Sequence, residues 1–173
     1  MRFIALITCF LLVNAGVKAQ AAFTNEQEFE AQYQINIKKT HLDKIYIPKD
    51  LEDAFVEIIN LTDKDDLAKF ALQDEESVAQ KLHFGLGRWM MINWKFYTGS
   101  RFSHYLKGLG LLTPDHKAQF VIRSLHRNLN GQPLDTGDLV EEYRVIRMNE
   151  IEALKSKQTI IKEETRKIEK QGQ

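Results

Sequence analysis

Between Pro48 and Leu129 apolar side chains return every three or four residues, in blocks set apart by Gly, Pro, Thr and Asp. That is the spacing of amphipathic helices laid against a common core. The clearest block starts at Pro48, which suits a first helical turn. Asp50 complements the positive end of that helix, and Leu51, Ala54, Phe55, Ile58 and Ile59 form one face. A shorter helix is expected after Thr62, which can cap it while Asp65 answers three residues on, and it buries Leu67, Phe70 and Ala71. A third opens at Asp74, with an inward face running Val78, Leu82, Leu86, Trp89, Asn93, Phe96.

Gly85 and Gly87 interrupt that third helix, each at a cost of about 1 kcal/mol against alanine. Either a break in the helix or close packing of a neighbouring helix beneath the tryptophan rings can compensate, and close packing is the expected one. Gly99 then ends the helix, Ser100 caps a fourth, and Phe102, Tyr105, Leu106 and Leu109 are its core face. Thr113-Pro114-Asp115 starts a fifth, burying Ala118, Val121, Ile122, Leu125 and Leu129 and closed by Asn130-Gly131. Asp138 and Glu141 make a capping box for a sixth, from which Leu139, Tyr143 and Ile146 pack back. The fold class expected is all-α: a small orthogonal multi-helix domain of about five to six helices, spanning 46–148, with a long charged C-terminal helix.

The two ends differ from this middle. Met1-Arg2, the apolar run Phe3–Val17, and Val17 and Ala19 before Gln20 match a secretory signal peptide over residues 1–19. The run is shorter than the roughly 20 residues of a membrane span, so export with no stable span after signal removal is expected, into the periplasm or beyond the cell. Residues 20–45 read as a flexible N-terminal leader. Thr24 and Gln27 can open a short helix there, and Tyr33–Ile37 alternates without a clear partner. Residues 149–173 form a charged helical tail. Leu154, Ile161 and Ile168 fall seven apart in it, but Gln158 and Thr165 are polar, so a coiled coil is half written.

Charge and cysteine usage narrow the classes further. Lys plus Arg and Asp plus Glu both number 24. Without Arg2 and Lys18 the balance is 22 to 24, which gives no general attraction to nucleic acid. Cys9 is the only cysteine and lies in the signal run, so the processed chain depends on its core rather than on disulfides.

HFGLGRW at 83–89, Asn93-Trp94, Gly99-Ser100-Arg101 with Tyr105, Pro114-Asp115 and His126-Arg127-Asn128-Leu129-Asn130-Gly131 resemble a bacterial family of domains of unknown function, one that opens on a segment like Ile47-Pro-Lys-Asp-Leu51. The likeness spans about 46–145. Met91-Ile92 stands where the family pattern has polar residues, and Thr113 where it has histidine. The resemblance implies a small helical domain and supplies no information about activity.

Candidate chemistry is sparse. Five histidines stand singly, without the spacing of a metal site, and no phosphate loop surrounds Gly85 and Gly87. No metal or cofactor is expected. A binding site is the better candidate: Ser100 at a helix start, Arg101 beside it, and Arg123, His126 and Arg127 on the next helix face one another across Trp89 and Trp94. His83 is a further candidate, and Asn93 on the inward face is either a tie between helices or a site residue; the cationic walls of such an aromatic cleft would suit a carboxylate or acidic peptide. The alternative is that the arginines pair with Asp or Glu and the tryptophans are core, with their N–H groups bonded to carbonyls. The function expected is a non-enzymatic interaction module that recognises a peptide or protein. The competing reading is a cell-envelope hydrolase with His83 or His126 as general base and a carboxylate such as Asp135 orienting it.

Overall fold

The structure, a computed structural model, describes residues 26–171. The expected signal peptide and the start of the leader lie outside the described residues. The fold is all-α apart from one two-stranded hairpin. In order it comprises α1 (Glu26–Asn36), β1 (His41–Leu42), β2 (Ile45–Tyr46), α2 (Leu51–Leu61), α3 (Lys64–Ala71), α4 (Glu75–Leu82), a π-helical turn (His83–Gly87), α5 (Arg88–Asn93), α6 (Arg101–Gly108), α7 (Pro114–Leu129) and α8 (Thr136–Gln171). Helix α7 is the spine, packed on α3, α4, the π turn, α5 and α8. Its Ala118, Phe120, Val121, Ile122 and Leu125 are buried together with Met90, Trp94, Phe102 and Leu106.

The caps explain the boundaries. Asp50 accepts from Asp53 N, Asp74 from Ser77 N, Ser100 from Ser103 N and Thr113 from His116 N, each satisfying a helix-end donor that would otherwise lack a partner. Asp63, not Thr62, precedes α3, because the Thr62 hydroxyl donates back to Ile58 O at the end of α2.

The largest departure from simple periodicity falls in the central motif. His83–Gly87 forms a wider π turn, in which the Arg88 N–H reaches the His83 carbonyl five residues back. A π turn takes one residue more than an α turn. The inward face therefore slips by one position, from Val78 and Ala79 to Gly87, Met90, Met91 and Trp94. Trp89 and Asn93, expected to face inward, are only partly buried, and Phe84, Arg88 and Ile92 are exposed.

The glycines share the work unequally. A Cβ on Gly87 would meet the His83 ring at 3.5 Å and Ala118 at 3.6 Å, whereas one on Gly85 would meet nothing within 4 Å. Close packing thus holds at Gly87 alone, and its partners are an imidazole and an alanine rather than the indole rings.

Residues 26–45, the described part of the expected leader, carry a helix and most of a hairpin, and both touch the motif or the helix after it. Tyr33 O–H lies 2.8 Å from His104 Nδ1, and Lys107 stands over the Tyr33 ring. The hairpin tip, with Asp43 and Lys44 both at positive φ, is held by Lys95, whose Nζ is 2.8 Å from Asp43 Oδ2. That hydrogen bond and the charge beside it lower the Asp43 pKa.

At the other end α8 is continuous from the packed Leu139 and Tyr143 into the charged tail. Its ion pair at Glu150, 3.5 Å from His116, lies just before half-buried Ile151. Beyond Ile151 every position through Lys162 is exposed, including Leu154 and Ile161.

Candidate functional site

The motif side chains sort into those committed inside the molecule and those left outside. Ser100 is fully buried and its Oγ donates to Trp94 O at 2.6 Å, tying the start of α6 to the end of α5. Arg101 reaches across to the hairpin exit, donating from Nε to Ile47 O at 2.7 Å. Its other end lies 3.8 Å from Asp53, and its guanidinium covers the Tyr46 ring. Asn93 is spent within its own helix, donating to Trp89 O at 2.9 Å. Trp94 is wholly buried, edge-on to Phe102 at 5.3 Å and to Trp89 at 5.5 Å. Its Nε1 has no partner among the described residues.

The other two arginines serve a different seam. Glu75, at the first turn of α4, accepts from Arg127 Nε at 2.8 Å and from Arg123 Nε at 2.6 Å, and Arg127 adds a second bond at 3.1 Å. Burial alone would raise the Glu75 pKa, but the two guanidinium groups outweigh it and hold the carboxyl below its usual range. Arg123 also holds Glu142 of α8 at 2.7 Å, and Arg127 donates to Leu134 O at 3.0 Å. The cleft expected between α6 and α7 therefore does not gather its cations. Arg101 turns to the hairpin and α2, while Arg123 and Arg127 turn to α4 and α8.

Both candidate histidines are occupied. His126 Nε2 faces Gln73 O at 2.8 Å, so that nitrogen carries the proton, and its Nδ1 is buried without a partner among the described residues. Asp135, its expected orienting carboxylate, lies instead 3.9 Å from Arg127. His83 Nε2 is 3.1 Å from Asp115, and its Nδ1 is buried over Gly87. A general base needs its free nitrogen within reach of a substrate proton. In both rings the spare nitrogen is the inaccessible one.

Lys117 and Ser103 make a pair that spacing did not suggest, with Nζ donating to Oγ at 2.7 Å. Burial pushes the Lys117 pKa down to about 8, with Lys107 adding to the shift. Ser103 and Lys117 are only 2% and 4% exposed, so this couple braces α6 against α7 and meets no substrate.

The exterior of the same motif is different. Phe84 is 81%, Ile92 51% and Tyr97 60% exposed, and they surround Arg88, which has no acidic partner among the described residues. With Met91 and the His83–Asp115 pair they line an open hollow of about 370 Å³. Trp89 belongs to a second hollow of about 310 Å³ on the other flank, with Ile58, Leu61, Thr62 and Leu86. Phe84, Arg88, Ile92, Tyr97 and Asp115 were missed in the sequence. The i, i+4, i+8 spacing of Phe84, Arg88 and Ile92 was the available signal. No cluster of three or more metal-ligating residues occurs among the described residues, and none of the helices there is long and apolar enough to cross a membrane.

The chain is thus a small helical domain with a structural motif core and an uncommitted motif exterior. A match to the family model Domain of unknown function (DUF6794) is found over residues 47–129, from the hairpin exit to the end of α7. It falls within the span of the resemblance, and leaves α1, the hairpin and α8 outside. No curated protein and no solved structure matches the chain.

Proposed function

We propose that the protein is a non-catalytic binding module, exported to the periplasm or the cell exterior, that recognises a peptide or protein through the outward face of residues 84–97. The observation that carries this reading is the exposed trio Phe84, Ile92 and Tyr97 around an arginine with no acid beside it, on a motif whose other polar groups are mostly engaged within the molecule. Exposed aromatics with arginine are the composition of interface centres. Export is supported by the N-terminal run Phe3–Val17 with Val17 and Ala19 before Gln20. The hydrolase reading has the His83–Asp115 pair in its favour and the burial of His83 Nδ1 against it.

A photo-activatable side chain at position 84 or 92 should trap one common partner from the envelope, and the same group at Val56, exposed on α2, should not. Equal trapping at all three positions overturns the proposal.

A further inference from the structure

Resting on that reading of the surface, we infer that the ligand is an extended segment of a partner chain with an acidic side chain two positions from an apolar one on either side: apolar, any, acidic, any, apolar. Arg88 supplies the charge. Arg101, Arg123, Arg127 and Arg144 each have a carboxylate within 4 Å, whereas Arg88, like Arg147 out on α8, has none among the described residues, and Arg88 is the one that lines the hollow. Asp115 also lines the hollow, where it faces His83 Nε2 at 3.1 Å rather than Arg88. Tyr97 gives a second, loosely held donor, since its hydroxyl rests only on the Met91 sulfur at 3.4 Å. A thioether is a weak acceptor, so a peptide carbonyl would displace it.

Spacing sets the pattern. Ile92 stands one α turn after Arg88, roughly 6 Å along the axis at about 1.5 Å per residue, and Phe84 stands across the wider π turn before it, lining the same hollow. Alternate side chains of an extended chain project on one side about 6.6 Å apart. A ligand lying along the helix therefore sets its acid on Arg88 and an apolar side chain on each of Phe84 and Ile92. A chain end would leave one of the two uncovered, which favours an internal carboxylate over a C-terminal one.

The test uses the full chain and end-blocked, fluorescein-labelled peptides of sequence Leu-Ser-Glu-Ser-Leu and Leu-Ser-Gln-Ser-Leu, with binding read by anisotropy. The glutamate peptide should bind at least about tenfold more tightly, as a charge-assisted pair predicts. Arg88→Gln should abolish that difference while melting as the wild type does. Equal binding of the two peptides by wild type overturns the acidic pattern but leaves the surface standing. Tighter binding of an unblocked Leu-Ser-Glu, ending in its own carboxylate, overturns the internal position. Failure of every peptide overturns the ligand class if positions 84 and 92 still trap a common partner, and the surface as well if they do not.

Discussion

The two sides of the segment from His83 to Tyr97 obey different rules. Inside, Gly87, Met90, Met91 and Trp94 are buried, and Ser100 bonds back to the Trp94 carbonyl. Each inner group is placed by a neighbour, and a change in one disturbs another. On the outer side Phe84, Arg88 and Ile92 are exposed, and Phe84 meets the His83 ring edge-on at 5.1 Å. The difference arises from the extra residue in the π turn, which rotates the downstream helix until the tryptophan that periodicity would leave outside is the one buried. A motif of this kind can therefore look like a site and be mostly scaffold, with its recognition surface displaced to residues that the inward pattern does not mark.

The sharpest way to break the inner side is at Glu75. Glu75→Gln leaves Arg123 and Arg127, both mostly buried, without their shared carboxylate. A loss of about 2–3 kcal/mol in urea unfolding is expected, below the full value for a buried pair because all three groups retain some water. The folded pKa of Glu75 is depressed, so its contribution is complete above the ordinary carboxylate range and fades as pH falls through it. The variant should lack that part of the acid sensitivity, and an unchanged acid limb would contradict the pairing.

Gly99→Ala probes the contact with α1. Gly99 has φ +92, and a Cβ there would run into the Tyr33 ring. A loss of about 2 kcal/mol is expected, together with faster amide exchange across Glu26–Asn36. Unchanged exchange would mean that α1 does not rest on the motif.

A smaller effect is expected at Lys117. Its folded pKa lies below the ordinary lysine value, so the unfolded chain binds more protons between about pH 8 and pH 10.4. Stability should therefore rise with pH across that window and should do so less in Lys117→Met. Parallel pH profiles for the two proteins would place the ammonium in water. Smaller again is Gly85→Ala, which meets open space and should change unfolding by no more than about 1 kcal/mol, in the stabilising direction if at all.

Much of the fold could be read directly from the chain. Asp74, Ser100, Thr113 and Asn130 mark helix ends in the structure because capping is local chemistry, decided by a side chain and the next three residues. Phase within the motif could not be read this way. Nothing in HFGLGRW declares that the turn has five residues rather than four, and one residue of slip exchanges the roles of Trp89 and Trp94. Which of the two readings the arginines follow, a cationic cleft or pairing with Asp or Glu, could not be read for a related reason. Their partners Glu75, Asp53 and Glu142 lie on helices distant in sequence, where spacing carries no information about pairing.

The most direct test of this division is a thermal melt of the double variant Phe84→Ser, Ile92→Ser beside the wild type. If the outer face takes no part in the fold, the two should melt within about 2 °C of each other. A fall of roughly 5 °C or more, the effect of losing well over 1 kcal/mol of packing, would show that these side chains belong to the core and would remove the surface on which the recognition proposal stands.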